Sequence, residues 1–165
     1  MSIANDNANT KKVKDTILED VTEYVTVIIG GQLFGLPINR VQDVFMPDRL
    51  TQVPLAHRDI AGVLNLRGRI VTAIDMRTRL GLPMPETSRS TMAVGIEFKG
   101  ESFGLIIDQV GEVMKLEKTA IEANPVNLDP RWAIVSAGVH RLDGQLLVIL
   151  DVDRVLELAS EQLAA

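Results

Sequence analysis

Gly62-Val63-Leu64-Asn65-Leu66-Arg67-Gly68-Arg69-Ile70-Val71-Thr72-Ala73-Ile74-Asp75-Met76-Arg77 is an apolar run, a turn that carries a cation, and a second apolar run. Glycine lacks a Cβ and accepts positive φ, so Arg67-Gly68 between β-rich segments predicts a tight hairpin. The turn would hold Arg67 out at a loop tip. A permanently charged fork on a rigid tip suits the carboxylate or backbone carbonyls of a partner, although most surface arginines are simply solvated.

Further strands are predicted on the N-terminal side. Tyr24-Val25-Thr26-Val27-Ile28-Ile29 is β-branched and stops at Gly30-Gly31, a second hairpin signal, and Gln32 to Ile38 resumes an apolar strand. Arg40 to Phe45 alternates polar with apolar, as a half-buried strand does. Residues 1–22 are polar, with too few apolar side chains to favour ordering, and read as a flexible tail. On the other side, Thr78 to Pro83 reads as a helical turn stopped by Gly81 and Pro83, and Pro83 to Ser90 as a linker.

The pattern then begins again. Val25–Phe45 aligns with Val94–Met114 and Ala61–Leu82 with Ala137–Leu158, giving sixteen identities over forty-three positions. The matched residues include the turn glycines Gly31/Gly100, Gly62/Gly138 and Gly68/Gly144, which fix backbone geometry. The second copy is longer by seven residues, placed in a loop around Asn124 to Pro130. A duplicated β unit follows, each copy with about five short strands at a spacing that suits a small closed barrel or sandwich. Two such units are marginal alone and should pack on each other. The expected organisation is a tail (1–22), a first barrel (23–86) and a second barrel with a C-terminal helix (87–165), with Asp153 as the helix cap.

Composition excludes several function classes. The 165 residues are 46% hydrophobic and 24% charged, with a net charge of -5. An acidic chain with 4% aromatic residues suits neither phosphate binding nor base stacking. No apolar run approaches membrane-spanning length and the start lacks a secretory pattern, so a cytoplasmic location is expected. Cysteine is absent, which removes disulfides, thiolate metal sites and cysteine nucleophiles. The charge is uneven: residues 25–82 carry a net +3 and residues 94–158 a net -5, a contrast that would let a basic half meet an acidic half of a partner with the same architecture.

No catalytic constellation is visible. His57-Arg58-Asp59 looks like a kinase catalytic loop but lacks every other kinase element. His140 reads as a strand residue, and two histidines without cysteine make a transition-metal site improbable. Asp75 and Asp151 occupy equivalent strand ends and read as caps of the helical turns that follow, not as an acid–base pair. What remains is an adaptor, with Val41, Val44, Val110 and Val113 as repeat-equivalent apolar positions lining a groove between barrels that would accept an amphipathic helix.

These residues carry a family resemblance. Phe34-Gly35-Leu36-Pro37-Ile38 with Val41-Gln42-Asp43-Val44, the Gly62 to Gly68 segment leading into Ile74-Asp75-Met76-Arg77, and Phe103 to Val110 together make the chain resemble the CheW family of chemotaxis coupling proteins from about Glu23 to Leu158. The resemblance implies an all-β fold of two tandem SH3-like five-stranded β-barrels related by a pseudo-two-fold, with short helical turns and a C-terminal helix. It implies no enzymatic activity and no cofactor or metal. The role it implies is a bridge between the cytoplasmic tips of methyl-accepting chemoreceptors and the histidine kinase CheA, whose CheW-like regulatory domain would meet one barrel end. Such a protein would be a monomer in isolation and would assemble into receptor arrays without entering the membrane.

On matching positions, the resemblance makes Val41, Asp43, Asn65, Arg67, Gly68, Val110 and Val113 receptor-facing. The family pattern usually has Pro where this chain has Thr72. A small ligand-binding or enzymatic barrel, and a detached regulatory domain of a kinase, are the alternatives.

Overall fold

A computed structural model describes residues 20–85 and 90–164. The order of elements is β1 (Val21–Ile29), β2 (Gln32–Pro37), a 3-10 turn (Ile38–Arg40), β3 (Asp43–Phe45), β4 (Ile60–Leu66), β5 (Arg69–Asp75), α1 (Met76–Arg79), β6 (Met92–Phe98), β7 (Glu101–Ile107), β8 (Gln109–Glu117), a second 3-10 turn (Lys118–Ala120), α2 (Pro130–Val135), β9 (Ser136–Leu142), β10 (Gln145–Leu150) and α3 (Val152–Ala164). The expected tail lies outside the described residues as far as residue 19. Its last two residues, Val21 and Thr22, are already β1 and pair with Glu117 and Leu116. Part of the expected linker, 86–89, likewise lies outside.

The strands form two five-stranded sheets, ordered β8-β1-β2-β10-β9 and β3-β6-β7-β5-β4. Exchanging each strand for its repeat counterpart converts one order into the other. The registers agree as well: Leu147, Val148 and Ile149 of β10 lie parallel to Leu33, Phe34 and Gly35 of β2, while Val71, Thr72 and Ala73 of β5 lie parallel to Ser102, Phe103 and Gly104 of β7.

The halves 23–86 and 87–165 follow the repeat but not the sheets. Each sheet takes the first two strands of one copy and the last three of the other. Both parallel pairs, β2/β10 and β5/β7, join strands of different copies. The long connection that a parallel neighbour needs passes, from β2 to β10, through the whole of the other sheet, and from β5 to β7 stays in its own sheet by way of β6.

Each sheet is closed by the segment that leaves its edge strand. After β3 the chain reaches the far edge, where Thr51 and Val63 exchange two 2.8 Å backbone hydrogen bonds. After β8, Glu122 bonds Val139 in the same way at 2.7 and 2.9 Å. The repeat glycines Gly62 (φ 151) and Gly138 (φ 144) make this approach possible. A Cβ on Gly62 would lie 2.6 Å from the Thr51 carbonyl oxygen, and one on Gly138 would lie 2.9 Å from that of Glu122. Closure removes free sheet edges.

The main core draws on both sheets and on α3, with Ile29, Phe34 and Leu36 from one sheet, Ile96, Phe103 and Leu105 from the other, and Val155, Leu156 and Ala159 from the helix. A smaller cluster lies within each sheet, around Leu64, Val71 and Ala73 and around Leu116, Leu147 and Ile149. Thus the two units share one core, as their size requires.

Three local expectations change. The seven extra residues of the second copy are not all loop: Asp129 accepts a 2.9 Å hydrogen bond from the Arg131 N–H and Pro130 opens α2. Trp132 on that helix donates from its indole N–H to the Leu80 carbonyl (2.8 Å) and meets Phe34 edge to face. The alternating stretch Arg40 to Phe45 is a strand only from Asp43, because Ile38–Arg40 coils into a 3-10 turn closed by the Val41 N–H on the Ile38 carbonyl (3.1 Å). The α3 helix begins two residues earlier than a cap at Asp153 would place it. Asp151 accepts from the Arg154 N–H at 3.1 Å, whereas Asp153 pairs with Arg40 at 2.7 Å.

Candidate functional site

The β4–β5 hairpin places Arg67 where the sequence puts it. Leu66 pairs with Arg69, leaving a two-residue loop with φ 53 at Arg67 and 82 at Gly68, both in the left-handed region that a primed turn requires. Asn65 locks the tip by accepting a 2.9 Å hydrogen bond from the Gly68 N–H. This ties the three expected residues Asn65, Arg67 and Gly68 into one unit. The Arg67 side chain is exposed and forms no ion pair with any described residue.

Beside the tip runs a solvent-open groove that the sequence reading missed. Met46, Asp48 and Arg49 from the segment after β3 form one wall, and Asn65, Leu66 and Ile70 form the other. Met46 is 58% and Ile70 65% exposed. Arg49 holds a left-handed backbone (φ 59) and, like Arg67, has no ion pair among the described residues. The groove is largely apolar with one acid, Asp48, and one base, Arg49, in its lining, a surface suited to an amphipathic segment. The Met-Pro-Asp-Arg run was a signal for a loop, but its apposition to β4 depends on the Thr51 bridge and is not local.

The other expected site residues divide between the sheets. Asp43 lies on β3 opposite Gly95, in the same sheet as the hairpin. Val41 is half-buried against the main core. Val110 (38% exposed) and Val113 (50% exposed) both lie on β8, an edge strand of the other sheet, opposite Val27 and Val25. Val44, the counterpart of Val113, is 40% exposed on β3.

Charged groups that are buried serve the architecture. Arg77 on α1 grips Asp108, just after β7, through two hydrogen bonds of 2.9 and 2.6 Å, and Asp108 also accepts from the Gly30 N–H at 2.8 Å. The hydrogen bonds to Asp108 hold the Arg77 guanidinium more firmly protonated than usual. Arg79 pairs with buried Asp59 at 3.1 Å, and here burial lowers the guanidinium pKa against the opposing pull of Asp59. His57 stacks its ring nitrogen on the same network, accepting from the Asp59 N–H at 3.2 Å. His140 contacts the Ala120 carbonyl at 3.0 Å as a strand residue. Asp75 caps α1 by accepting from the Arg77 and Thr78 N–H groups, and Asp151 caps α3 equivalently, so these carboxylates are spent on backbone. Among the described residues no cluster of His, Cys, Asp or Glu is arranged to hold a metal ion, and no helix is long and apolar enough to cross a membrane.

A family model for the CheW-like domain matches residues 23–160. The chemotaxis protein CheW of Bacillus subtilis is 27% identical over 86% of this chain and 91% of its own length. That of Klebsiella aerogenes is 28% identical over 86% of this chain and 84% of its own. Protein PilI of Pseudomonas aeruginosa is 27% identical over 68% of this chain and 61% of its own. Among solved structures, the scaffolding protein TtCheW of Thermoanaerobacter tengcongensis superposes with a TM-score of 0.72 at 28% identity, over 79% of this chain and 84% of that one. A family model that covers almost the whole described fold, together with relatives aligned over most of their length, places this chain in the CheW-like domain family.

Proposed function

We propose that the chain is a non-enzymatic adaptor that couples the cytoplasmic tips of methyl-accepting chemoreceptors to the histidine kinase CheA. The observation that carries this reading is the likeness, over most of the chain, to chemotaxis CheW proteins, including a solved scaffolding protein. The surface is consistent with it: an arginine at a hairpin tip, with no ion pair among the described residues, beside an apolar groove is built to hold another protein. On this reading Asn65, Arg67 and Gly68, with Asp43, Val41, Val110 and Val113, face the receptor helices, and a barrel end meets the kinase's CheW-like domain. The adaptor works where the receptor arrays are, on their cytoplasmic side, without entering the bilayer. Coupling of this kind is a free-energy linkage of about 1 to 3 kcal/mol between two binding events.

The test is reconstitution. Receptor signalling fragments and CheA are assayed for kinase activity with and without the chain, and each is used to capture it singly and together. Receptor-dependent kinase control should appear only when the chain is present. A chain that binds neither partner and leaves kinase activity unchanged would overturn the reading. Raising the salt from about 50 to about 500 mM should weaken the kinase complex if opposed charge steers it.

A further inference from the structure

Each copy turns a corner after its second strand, and the two corners are held differently. After β7 the corner residue is Asp108, largely buried, which accepts two hydrogen bonds from Arg77 and one from the Gly30 N–H. Its own N–H donates to the Ile28 carbonyl at 3.0 Å. After β2 the corner is the 3-10 turn Ile38–Arg40, which has no buried residue and no side-chain cap. Asn39, the repeat counterpart of Asp108, is exposed and forms no side-chain hydrogen bond with any described residue. One backbone bond, from the Val41 N–H to the Ile38 carbonyl, closes this turn. The next backbone anchor is the Gln42 N–H on the Gly95 carbonyl at 2.8 Å.

The remaining hold on the corner comes from α3. Arg40 Nη1 lies 2.7 Å from Asp153 Oδ1, a contact across 113 positions of sequence. The helix end of this bridge is fixed. Val152, Val155 and Leu156, on either side of Asp153, are buried in the main core, and the Asp151 N–H donates to the Val135 carbonyl at 2.7 Å. Asp153 also stands in the first turn of α3, where the helix dipole favours an anion. The bridge thus joins a rigid strut to a corner that has few other constraints. Because both side chains are solvated, it adds little to global stability. Its effect is local, on the conformations the corner samples. Val41 then packs against the main core, so the angle at which the chain leaves the corner decides how β3 is presented.

We propose that the Arg40–Asp153 bridge is a positioning tie, through which the C-terminal helix holds the segment Val41 to Asp43 in the arrangement that a partner protein receives. It rests on the adaptor reading in that the partner is the receptor tip, and it extends that reading to a helix that carries none of the receptor-facing residues. On this assignment neither Arg40 nor Asp153 touches the partner.

Neutral substitutions in the full chain test it: Arg40→Gln, Asp153→Asn and the two together. The first measurement is amide hydrogen exchange at Val41, corrected for the intrinsic rate of each sequence. Asp108 is the internal control, since its N–H holds the corresponding corner of the other copy by a bond that the bridge does not share. Protection at Val41 should fall about threefold in each single variant, as expected for an exposed ion pair. The double variant should lose no more, because a tie is lost with either partner. Unchanged protection at Val41, an equal fall at Asp108, or losses that multiply in the double variant would overturn the proposal.

The second measurement is capture of a receptor signalling fragment. It should weaken about threefold in each single variant and no further in the double. Capture that is unweakened while Val41 is loosened would overturn the positioning role. Losses that multiply would overturn it too, by showing that the side chains meet the receptor separately. If the wild-type chain captures no receptor fragment at all, the adaptor reading fails, while exchange at Val41 still decides whether the tie holds its segment.

Discussion

The helix that ends each copy is tied to the opposite copy by an ion pair, and the two pairs have opposite polarity. In the first copy the helix supplies the cation, Arg77, to Asp108 at the exit of β7. At the repeat position in the second copy the helix supplies the anion, Asp153, to Arg40 at the exit of β2. One pair is a buried fork. The other is a single contact with side chains 29% and 58% exposed. Duplication thus preserved the place of the tie while its charge inverted and its burial diverged. The inversion has a physical effect, since two first copies set together in this geometry would bring Arg77 toward Arg40, and two second copies would bring Asp153 toward Asp108. Unlike copies attract and like copies do not. Part of the charge contrast seen in the sequence is therefore used internally, across these two ties, and is not all available for partners.

Five substitutions probe how far the copies have diverged. The largest effect is expected where they have not diverged at all: Gly62→Val pushes a Cβ into the Thr51 carbonyl at a φ that β-branched residues avoid. It should cost about 4 kcal/mol in urea unfolding, and Gly138→Val should cost a similar amount. A small loss in either would show that its closing bridge is dispensable. Next, Arg77→Ala takes the guanidinium away from the largely buried Asp108 carboxylate, which keeps its bond from the Gly30 N–H, and should cost about 3 kcal/mol, whereas Arg40→Ala, at the exposed tie, should cost less than about 1 kcal/mol. Equal losses would mean that burial does not distinguish the two. The smallest effect on folding is expected at Arg67→Ala, under about 0.5 kcal/mol, with receptor-dependent kinase control reduced; if instead this variant melts well below the wild type, the hairpin arginine is structural.

Much of the fold could be read in advance because it is written in local chemistry. The glycine pairs place the hairpins, Asp75 and Asp151 stand at strand ends where only a cap would use them, and the repeat is visible residue by residue. The exchange of strands between copies was not legible, and the reason lies in the duplication itself. The apolar pattern of β5 and that of β10 serve equally well as a parallel neighbour for β2, so nothing in the chain's periodicity selects between them. The second helix was legible in principle, since Asp129-Pro130 is an N-cap followed by Pro at the first helical position. At the start of α3, Asp151 and Asp153 both qualify as caps, and the choice depends on Arg40, more than a hundred residues away in the chain. For the site, the Arg67 tip was readable because a turn is local. The groove beside it was not, because the segment after β3 reaches β4 only through the Thr51–Val63 bridge, a contact between residues distant in the chain.

The strand exchange also sets an order of events during synthesis. A ribosome delivers β1 and β2 first, yet their sheet lacks its central partner until β10 has emerged, almost at the end of the chain. The other sheet, begun later with β3, has all its strands by Ile107. During that interval β2 lacks its parallel neighbour, while β8 is already available to pair with β1 and the other sheet already offers Ile96, Phe103 and Leu105 to the apolar faces of β1 and β2. A nascent chain stalled before β10 would present the open edge of β2 to chaperones and proteases.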